Sequence, residues 1–231
     1  GISQLPQELG NPHHDLRVIH IAGTNGKGLT ALMLGKLILA EGDSCGIYSS
    51  PHLTDIRERI IINGELILKE DFTQFASKAL DIANSFHGEP YLSYFDLLTS
   101  IALLAFQKTG MHWVILETGL GGKADSTNIT EKELCILTPI GMDHQEVLGD
   151  SIFQIASEKL GITRSGIPTV MSKQKESLKN WMRLKLRKSS VPFLEADTEI
   201  MMTKHGSGNL KEGSSDTWNL KWCDGTQLEI T

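Results

Sequence analysis

Cysteine is scarce in this sequence. Three occur in 231 residues, Cys45, Cys135 and Cys223. They lie far apart, they cannot all pair, and two of them sit in apolar strand-like runs. They therefore read as buried reduced thiols rather than a disulfide framework, which suits a cytoplasmic protein. Long apolar runs are also lacking. No stretch could span a bilayer and no signal-peptide pattern opens the chain, so no membrane partner is expected. Nor is there an excess of positive charge. Lys and Arg number 22 against 28 Asp and Glu, a net charge of −6, so the overall field does not favour polyanions and no nucleic-acid partner is expected. No internal repeat is visible. What remains, 40% hydrophobic and 22% charged, is ordinary for a globular protein, with length enough for one large domain or one domain and a fragment.

The stretch that organises the chain is Ile19-His20-Ile21-Ala22-Gly23-Thr24-Asn25-Gly26-Lys27-Gly28-Leu29-Thr30. The apolar run 18–22 reads as a buried strand, and residues 31–40 as a helix. Strand, glycine turn with lysine, and helix form the layout of a phosphate cradle. Backbone amides approach the phosphates, the helix N-terminus adds partial positive charge, and Lys27 adds a full one. The match to a regular Walker A pattern is incomplete. The Gly four residues before Gly26-Lys27 is missing, and Gly28 stands where a hydroxyl is expected directly after the lysine. A tight strand-to-helix turn with a chance lysine is the alternative.

Elsewhere strands and helices alternate. Residues 1–15 form a polar arm, cut short, in which the adjacent His13 and His14 are poorly placed to ligate one metal and are expected to be exposed. Residues 45–48 read as a strand running into Ser49-Ser50-Pro51-His52, which places Ser50 near the phosphates if the first strand is central, or leaves it a plain serine turn. Asn63-Gly64 between apolar runs signals a hairpin. Residues 71–86 have helical spacing, with Phe72, Phe75, Ala76, Ala79, Leu80 and Ala83 on one core face. Residues 93–107 form a more buried helix that Ser93 and Asp96 can cap.

Residues 113–116 are a buried strand ending in Glu117-Thr118-Gly119-Leu120-Gly121-Gly122. A carboxylate there needs a partner: Mg²⁺, or a nearby Arg or Lys. The glycines are expected to leave room for a ligand. Residues 134–140 read as another strand, ending Gly141-Met142-Asp143-His144, with Asp143 able to fix the imidazole. Residues 151–162 form a helix with Ser151 as cap and Lys159 near its end, a place that usually holds a solvated cation. Residues 167–171 and 191–194 are short strands. The helix 177–188 carries Leu178, Trp181, Leu184 and Leu186, with its basic residues as a solvated face. Residues 201–215 read as a mobile loop and 218–230 as a hairpin around Asp224-Gly225. The pattern argues for an α/β fold, a doubly wound, mostly parallel sheet flanked by helices, with a small β-hairpin element near the C-terminus.

In combination these motifs resemble a known family. They are Ala22-Gly23-Thr24-Asn25-Gly26-Lys27-Gly28, Tyr48-Ser49-Ser50-Pro51-His52-Leu53, Arg57-Glu58-Arg59-Ile60, Tyr94-Phe95-Asp96, Glu117 to Gly122, Asp125-Ser126-Thr127-Asn128, Asp143-His144 and Glu158-Lys159-Leu160-Gly161-Ile162. The chain is similar to the nucleotide-binding domain of folylpolyglutamate synthase and dihydrofolate synthase, in the Mur ligase superfamily, over nearly its whole length. The resemblance implies an ADP-forming ligase that adds L-glutamate to a folate or dihydropteroate carboxylate through an acyl phosphate. It implies that Thr24, Asn25, Gly26, Lys27, Gly28 and Thr30 hold ATP, and that Ser50, Glu117, His144 and Lys159 match metal ligands for Mg²⁺. Lys159 corresponds to a lysine that the family carbamylates, and Lys27, Lys159 and His144 correspond to the catalytic set. Ser93, Tyr94, Phe95, Asp96, Ala124, Asp125 and Ser126 match segments that hold the pterin substrate.

There are departures. Leu29 stands where the family has Ser or Thr, with Thr30 as the compensating hydroxyl. Asp96 replaces Glu, Lys123 replaces Arg, and Thr118 replaces an apolar residue. On this reading residues 1–231 are a central ATP-binding domain, monomeric, without the domain that supplies the glutamate site. Two readings follow: a ligase part, or a degenerate binding module that holds nucleotide or folate. The retained Ser50, Glu117, His144 and Lys159 favour the first; Leu29 and the early stop favour the second. A general nucleotide-hydrolysing switch gives no reason for the Ser-Pro-His turn.

Overall fold

A computed structural model describes residues 4–14, 16–85, 92–205, 217–222 and 227–230. After a short helix α1 (Gln4–Glu8), the chain runs β1 (Arg17–Ala22), α2 (Lys27–Ala40), β2 (Cys45–Tyr48), β3 (Ile60–Ile62), β4 (Glu65–Leu66), α3 (Lys69–Ser85), α4 (Tyr94–Lys108) and β5 (Trp113–Glu117). It continues through β6 (Leu134–Leu137), α5 (Gln145–Leu148), α6 (Ile152–Leu160), β7 (Thr169–Met171), α7 (Glu176–Lys188), β8 (Phe193–Glu195), α8 (Ala196–Glu199), β9 (Ile200–His205), β10 (Thr217–Trp222) and β11 (Gln227–Ile230).

The main sheet has eight strands in the order β4-β3-β2-β5-β1-β6-β7-β8. From β2 to β8 neighbouring strands are parallel, and β3 and β4 are added antiparallel at one edge. The first strand is thus central: Ile19 pairs with Ile115 on one side and Leu134 on the other. A parallel sheet must be covered on both faces, and the period-two alternation of side chains does this. Val114 and Leu116 of β5 and Tyr48 of β2 pack with α3 and α4, while Ile115, Cys45 and Ile47 face the other way, toward α2. Beyond β1, Cys135, Leu137 and Met171 pack against α6 and α7.

Local signals placed most of these elements. Asn63 and Gly64 take positive φ angles of 50° and 88°, as a two-residue hairpin turn requires. Ser93 with Asp96 and Ser151 with Gln154 form reciprocal capping boxes at the starts of α4 and α6. Cys45 and Cys135 are buried free thiols; Cys223 lies outside the described residues.

Several expectations are corrected. Residues 201–205 lie in β9 and not in a loop; Gly/Ser/Lys composition further along dominated that reading. Residues 206–216 and the turn at Asp224-Gly225 lie outside the described residues, although β10 and β11 on either side of that turn do pair antiparallel. Leu80 and Leu184 are exposed, so the apolar stripes of α3 and α7 are narrower than read. The basic face of α7 is only partly solvated. Lys179 is buried between Glu176 (3.2 Å) and Asp197 (3.3 Å), and Arg183 forms a two-pronged pair with Glu195 at the end of β8. His14 is exposed as expected, but His13 is buried, its ring edge-on to His14 at 4.4 Å.

Candidate active site

Parallel strands put their carboxyl ends on one edge, and the loops that leave there build the site. The loop after β1 enters α2 through Gly26, whose φ of 84° is one that a side chain disfavours. The first helix amide to be paired is that of Thr30, which donates to the Gly26 carbonyl at 3.0 Å. The amides of Lys27, Gly28 and Leu29 precede it at the helix N-terminus, where they are oriented for an anion. Thr24 and Asn25 serve differently. Their amides donate to the Pro139 carbonyl, and the Thr24 hydroxyl donates to Gly141 O and accepts from Gly141 N. These two residues clamp the loop to the end of β6. The Thr30 hydroxyl donates to Gly26 O at 2.7 Å, and Leu29 is exposed.

Glu117 closes β5, buried to 3% exposure. Its Oε2 accepts the Ser50 amide at 3.2 Å and its Oε1 lies 3.7 Å from the Lys27 ammonium. Burial pushes this carboxyl up, and Lys27, the Ser50 amide and Arg59 pull it back. The partner of the buried carboxylate is therefore Lys27, from the glycine loop. A Cβ at Gly28 would lie 3.2 Å from the same Oε2, so Glu117 fills the space that a side chain after the lysine would take.

Lys159, at the end of α6, is also 3% exposed and donates to the Gly23 carbonyl at 2.9 Å. It is not the solvated helix-end lysine that its position suggests. Burial, helped by repulsion from Lys27, lowers its pKa to about 8, against the pull of Asp143 and Asp125. The folded state then binds fewer protons than the unfolded chain between about pH 8 and the ordinary lysine value. The stability tied to this group is fully present above the unfolded value and is lost as pH falls through about 8. We expect urea unfolding of wild type, measured against Lys159→Met, to show a difference that shifts in favour of wild type as pH rises across that window.

Lys27, Ser50, Pro51, Arg59, Ser93, Phe95, Gly119, Leu120, Ala124, Asp125, Ser126 and His144 line one cleft of about 760 Å³, with Val147, Leu148 and Glu158 completing it. The expected substrate residues are held by one another. Asp96 accepts from the Ser93 amide and hydroxyl and from the Ser126 hydroxyl at 2.6 Å. Asp125 accepts the amides of Gly119 and Leu120. Tyr94 is exposed and is not in the cleft lining.

The glycines after Glu117 do not leave room for a ligand as expected. A Cβ at Gly119 would meet the Phe95 ring at 2.5 Å, and one at Gly122 the Glu158 carbonyl at 2.8 Å. They allow close packing of the cleft wall instead. His144 sits half exposed at the cleft mouth with φ 47°, 3.7 Å from both Asp143 and Glu146, beyond hydrogen-bonding range. The structure thus joins Ser50, Glu117 and Lys27 closely, with Lys159 beneath the loop and His144 at the rim.

Arg59 went unassigned in the sequence. It precedes β3, which runs antiparallel to β2, so its position beside the Ser50 turn follows from the hairpin; its Nε donates to His52 Nδ1 at 2.8 Å.

No family model matches the chain. Individual relatives do. The chain is 36% identical over 199 residues to the dihydrofolate synthase/folylpolyglutamate synthase of Bacillus subtilis, covering 83% of this chain and 45% of that protein. Its fold superposes on a folylpolyglutamate synthase (FPGS) solved with AMPPCP and folate at a TM-score of 0.86 and 30% identity, over 99% of this chain and 56% of that one. It also superposes on E. coli FolC in complex with DHPP and ADP, at 0.83 and 28%, over 98% and 51%. The chain belongs to the folylpolyglutamate synthase/dihydrofolate synthase family. It spans less than half the length of the curated relatives it matches. The cleft described above has the glycine loop on one wall and the Ser93–Ser126 network on the other. Among the described residues, no helix is long and apolar enough to cross a membrane.

Proposed function

We propose that this chain is the ATP-binding part of a ligase that joins L-glutamate to a folate or dihydropteroate carboxylate. The observation that carries the reading is the convergence of Lys27 and the Ser50 turn on the buried Glu117 carboxylate, directly under a cleft wide enough for a second substrate. Relatives solved with nucleotide and a folate-type acid support it.

A carboxylate is a poor acyl donor until it carries a phosphoryl group. Transfer between two anions needs positioned positive charge more than covalent help from the protein. Here the amides of residues 27–29 and the Lys27 ammonium are placed to hold the triphosphate. Arg59, beside the Ser50 turn in the lining of the same cleft, would balance the charge of the acid substrate. The acid's oxygen attacks the γ-phosphorus and ADP leaves. The glutamate amine then displaces phosphate from the acyl phosphate and loses a proton. The glutamate site and the remaining nucleotide contacts are assigned to the part of the longer relatives that this chain does not span.

Magnesium fits the residues present. Among the described residues no three His, Cys, Asp or Glu side chains stand close enough to hold a metal by themselves. Glu117, with the Ser50 hydroxyl and His144 of the same cleft lining, would supply part of a set that phosphate oxygens and water complete around a hard cation. When bound there, the ion would neutralise phosphate charge. Lys159, with its pKa near 8, has a neutral fraction at physiological pH able to take up CO₂ as a carbamate, which would convert a buried cation into an anion beside the same loop.

The test has two arms. Calorimetric titration of this chain should show weak binding of Mg-ATP and no ligation. The chain extended to the relatives' full length should release ADP only when folate-type acid and glutamate are both present. A folded extended protein that binds ATP yet releases no ADP would favour the binding-module reading, to which the exposed Leu29 points.

A further inference from the structure

His20 sits in the middle of β1, fully buried. An imidazole in a sheet interior costs more than an aliphatic side chain of similar size unless its polar atoms have work. Its Nε2 lies 2.7 Å from the Thr127 hydroxyl. That hydroxyl lies 2.5 Å from Asp125 Oδ1, which also takes the Thr127 amide. Asp125 Oδ2 accepts the amides of Gly119 and Leu120, both at 2.9 Å. Among the described residues His20 Nδ1 has no partner.

The protons can be counted. Three amides donate to Asp125, those of Gly119 and Leu120 to Oδ2 and that of Thr127 to Oδ1. Burial raises this carboxyl's pKa and the hydrogen bonds it accepts pull it back, and in the ionised form they favour it can only accept. The single Thr127 proton therefore goes to Asp125. Its oxygen must then accept, and among the described residues the group offered is His20 Nε2. The imidazole is thus neutral with its proton on Nε2, leaving a bare lone pair on Nδ1. Of the two ways to leave that atom unpartnered, an unused acceptor costs less than an unused N–H. Burial and the nearby Lys132 and Arg164 keep the ring uncharged, in agreement with this tautomer.

We propose that His20 is a positioning residue for the acid-substrate wall. Its Nε2–H fixes the Thr127 hydroxyl as a donor to Asp125, and Asp125 in turn holds the Gly119–Leu120 turn and the start of the Ser126 segment. The strand that feeds the phosphate loop is thereby tied to the opposite wall of the cleft. The substrate side of this inference rests on the folate reading above; the proton assignment does not.

Nitrogen-15 histidine spectra should show His20 protonated at Nε2. A His20→Gln side chain can present an N–H near the Nε2 position, whereas His20→Asn reaches only as far as Nδ1. Hydrogen exchange at the Gly119 and Leu120 amides should rise about tenfold in His20→Asn and stay near wild type in His20→Gln, with folate affinity falling about tenfold in the first variant only. Thr127→Val, which keeps the imidazole, should reproduce the His20→Asn exchange pattern and serves if His20→Asn does not fold. Urea unfolding of each variant separates a general loss of stability from a local one. A proton on Nδ1, or unchanged exchange at 119 and 120 in both His20→Asn and Thr127→Val, would overturn the proposal. A wild-type protein that fails to bind folate would instead sink the substrate reading, and the spectra and exchange rates would still decide the role of His20.

Discussion

A Gly23→Ala protein is expected to be destabilised by about 3 kcal/mol or more, and to lose Mg-ATP binding with it. The added Cβ would stand 1.8 Å from the Thr138 hydroxyl oxygen and 3.0 Å from both the Thr138 Cβ and carbonyl oxygen. One of these neighbours is backbone, held by the Thr138 amide donating to the Ala22 carbonyl at 2.9 Å. No rotamer change clears all three. β1 must part from the segment after β6, at the point where the Gly23 carbonyl also receives Lys159. Urea unfolding measures the loss. Adding Thr138→Gly removes two of the three contacts and should recover a substantial part of it, as coupling between touching residues predicts. If the double variant is no better than the single one, the contact with Thr138 is not the cause.

Glu117→Gln should uncouple nucleotide binding from magnesium. The amide keeps the size of the side chain and can still accept from the Ser50 amide. It removes the charge that faces Lys27 at 3.7 Å and the one carboxylate among the expected metal ligands. Leaving a mostly buried ammonium without its counter-charge is expected to cost about 3 kcal/mol of stability. In wild type, magnesium should strengthen ATP binding; in Glu117→Gln, titration of ATP with and without the ion should give the same affinity. Strengthening by magnesium that survives the substitution would remove Glu117 from the metal site. The double variant with Lys27→Met should regain stability relative to Glu117→Gln, since no unpaired charge is left behind.

Much of this geometry was legible from the chain alone. A glycine turn between an apolar strand and a helix pointed to the phosphate loop. Apolar runs that each end in a polar loop pointed to a parallel sheet with Ser50, Glu117 and His144 at one edge. The requirement that a buried carboxylate have a partner was also legible, with a lysine among the options; that it is Lys27 needed coordinates. Local signals failed where packing across the sheet decides. Lys159 occupies a place that usually faces solvent, and only the approach of α6 to the loop after β1 buries it. His20 reads as an interruption in an apolar strand, and its purpose depends on Thr127, more than a hundred residues along. The glycines at 119 and 122 look like space for a ligand, but the space is taken by Phe95 and α6. In each case the residue type is plain in the chain and the neighbour is not.

The central position of β1 sets the order of events during synthesis. When residues 17–22 leave the ribosome, neither flanking strand exists: β5 lies at 113–117 and β6 at 134–137. This strand, the first among the described residues and largely apolar, must wait unpaired until about half of the described residues have been translated. Contacts this distant close slowly and leave hydrophobic surface open meanwhile. A nascent chain stalled before residue 113 should accordingly be held by chaperones and digested by protease, while one stalled well past residue 137 should resist.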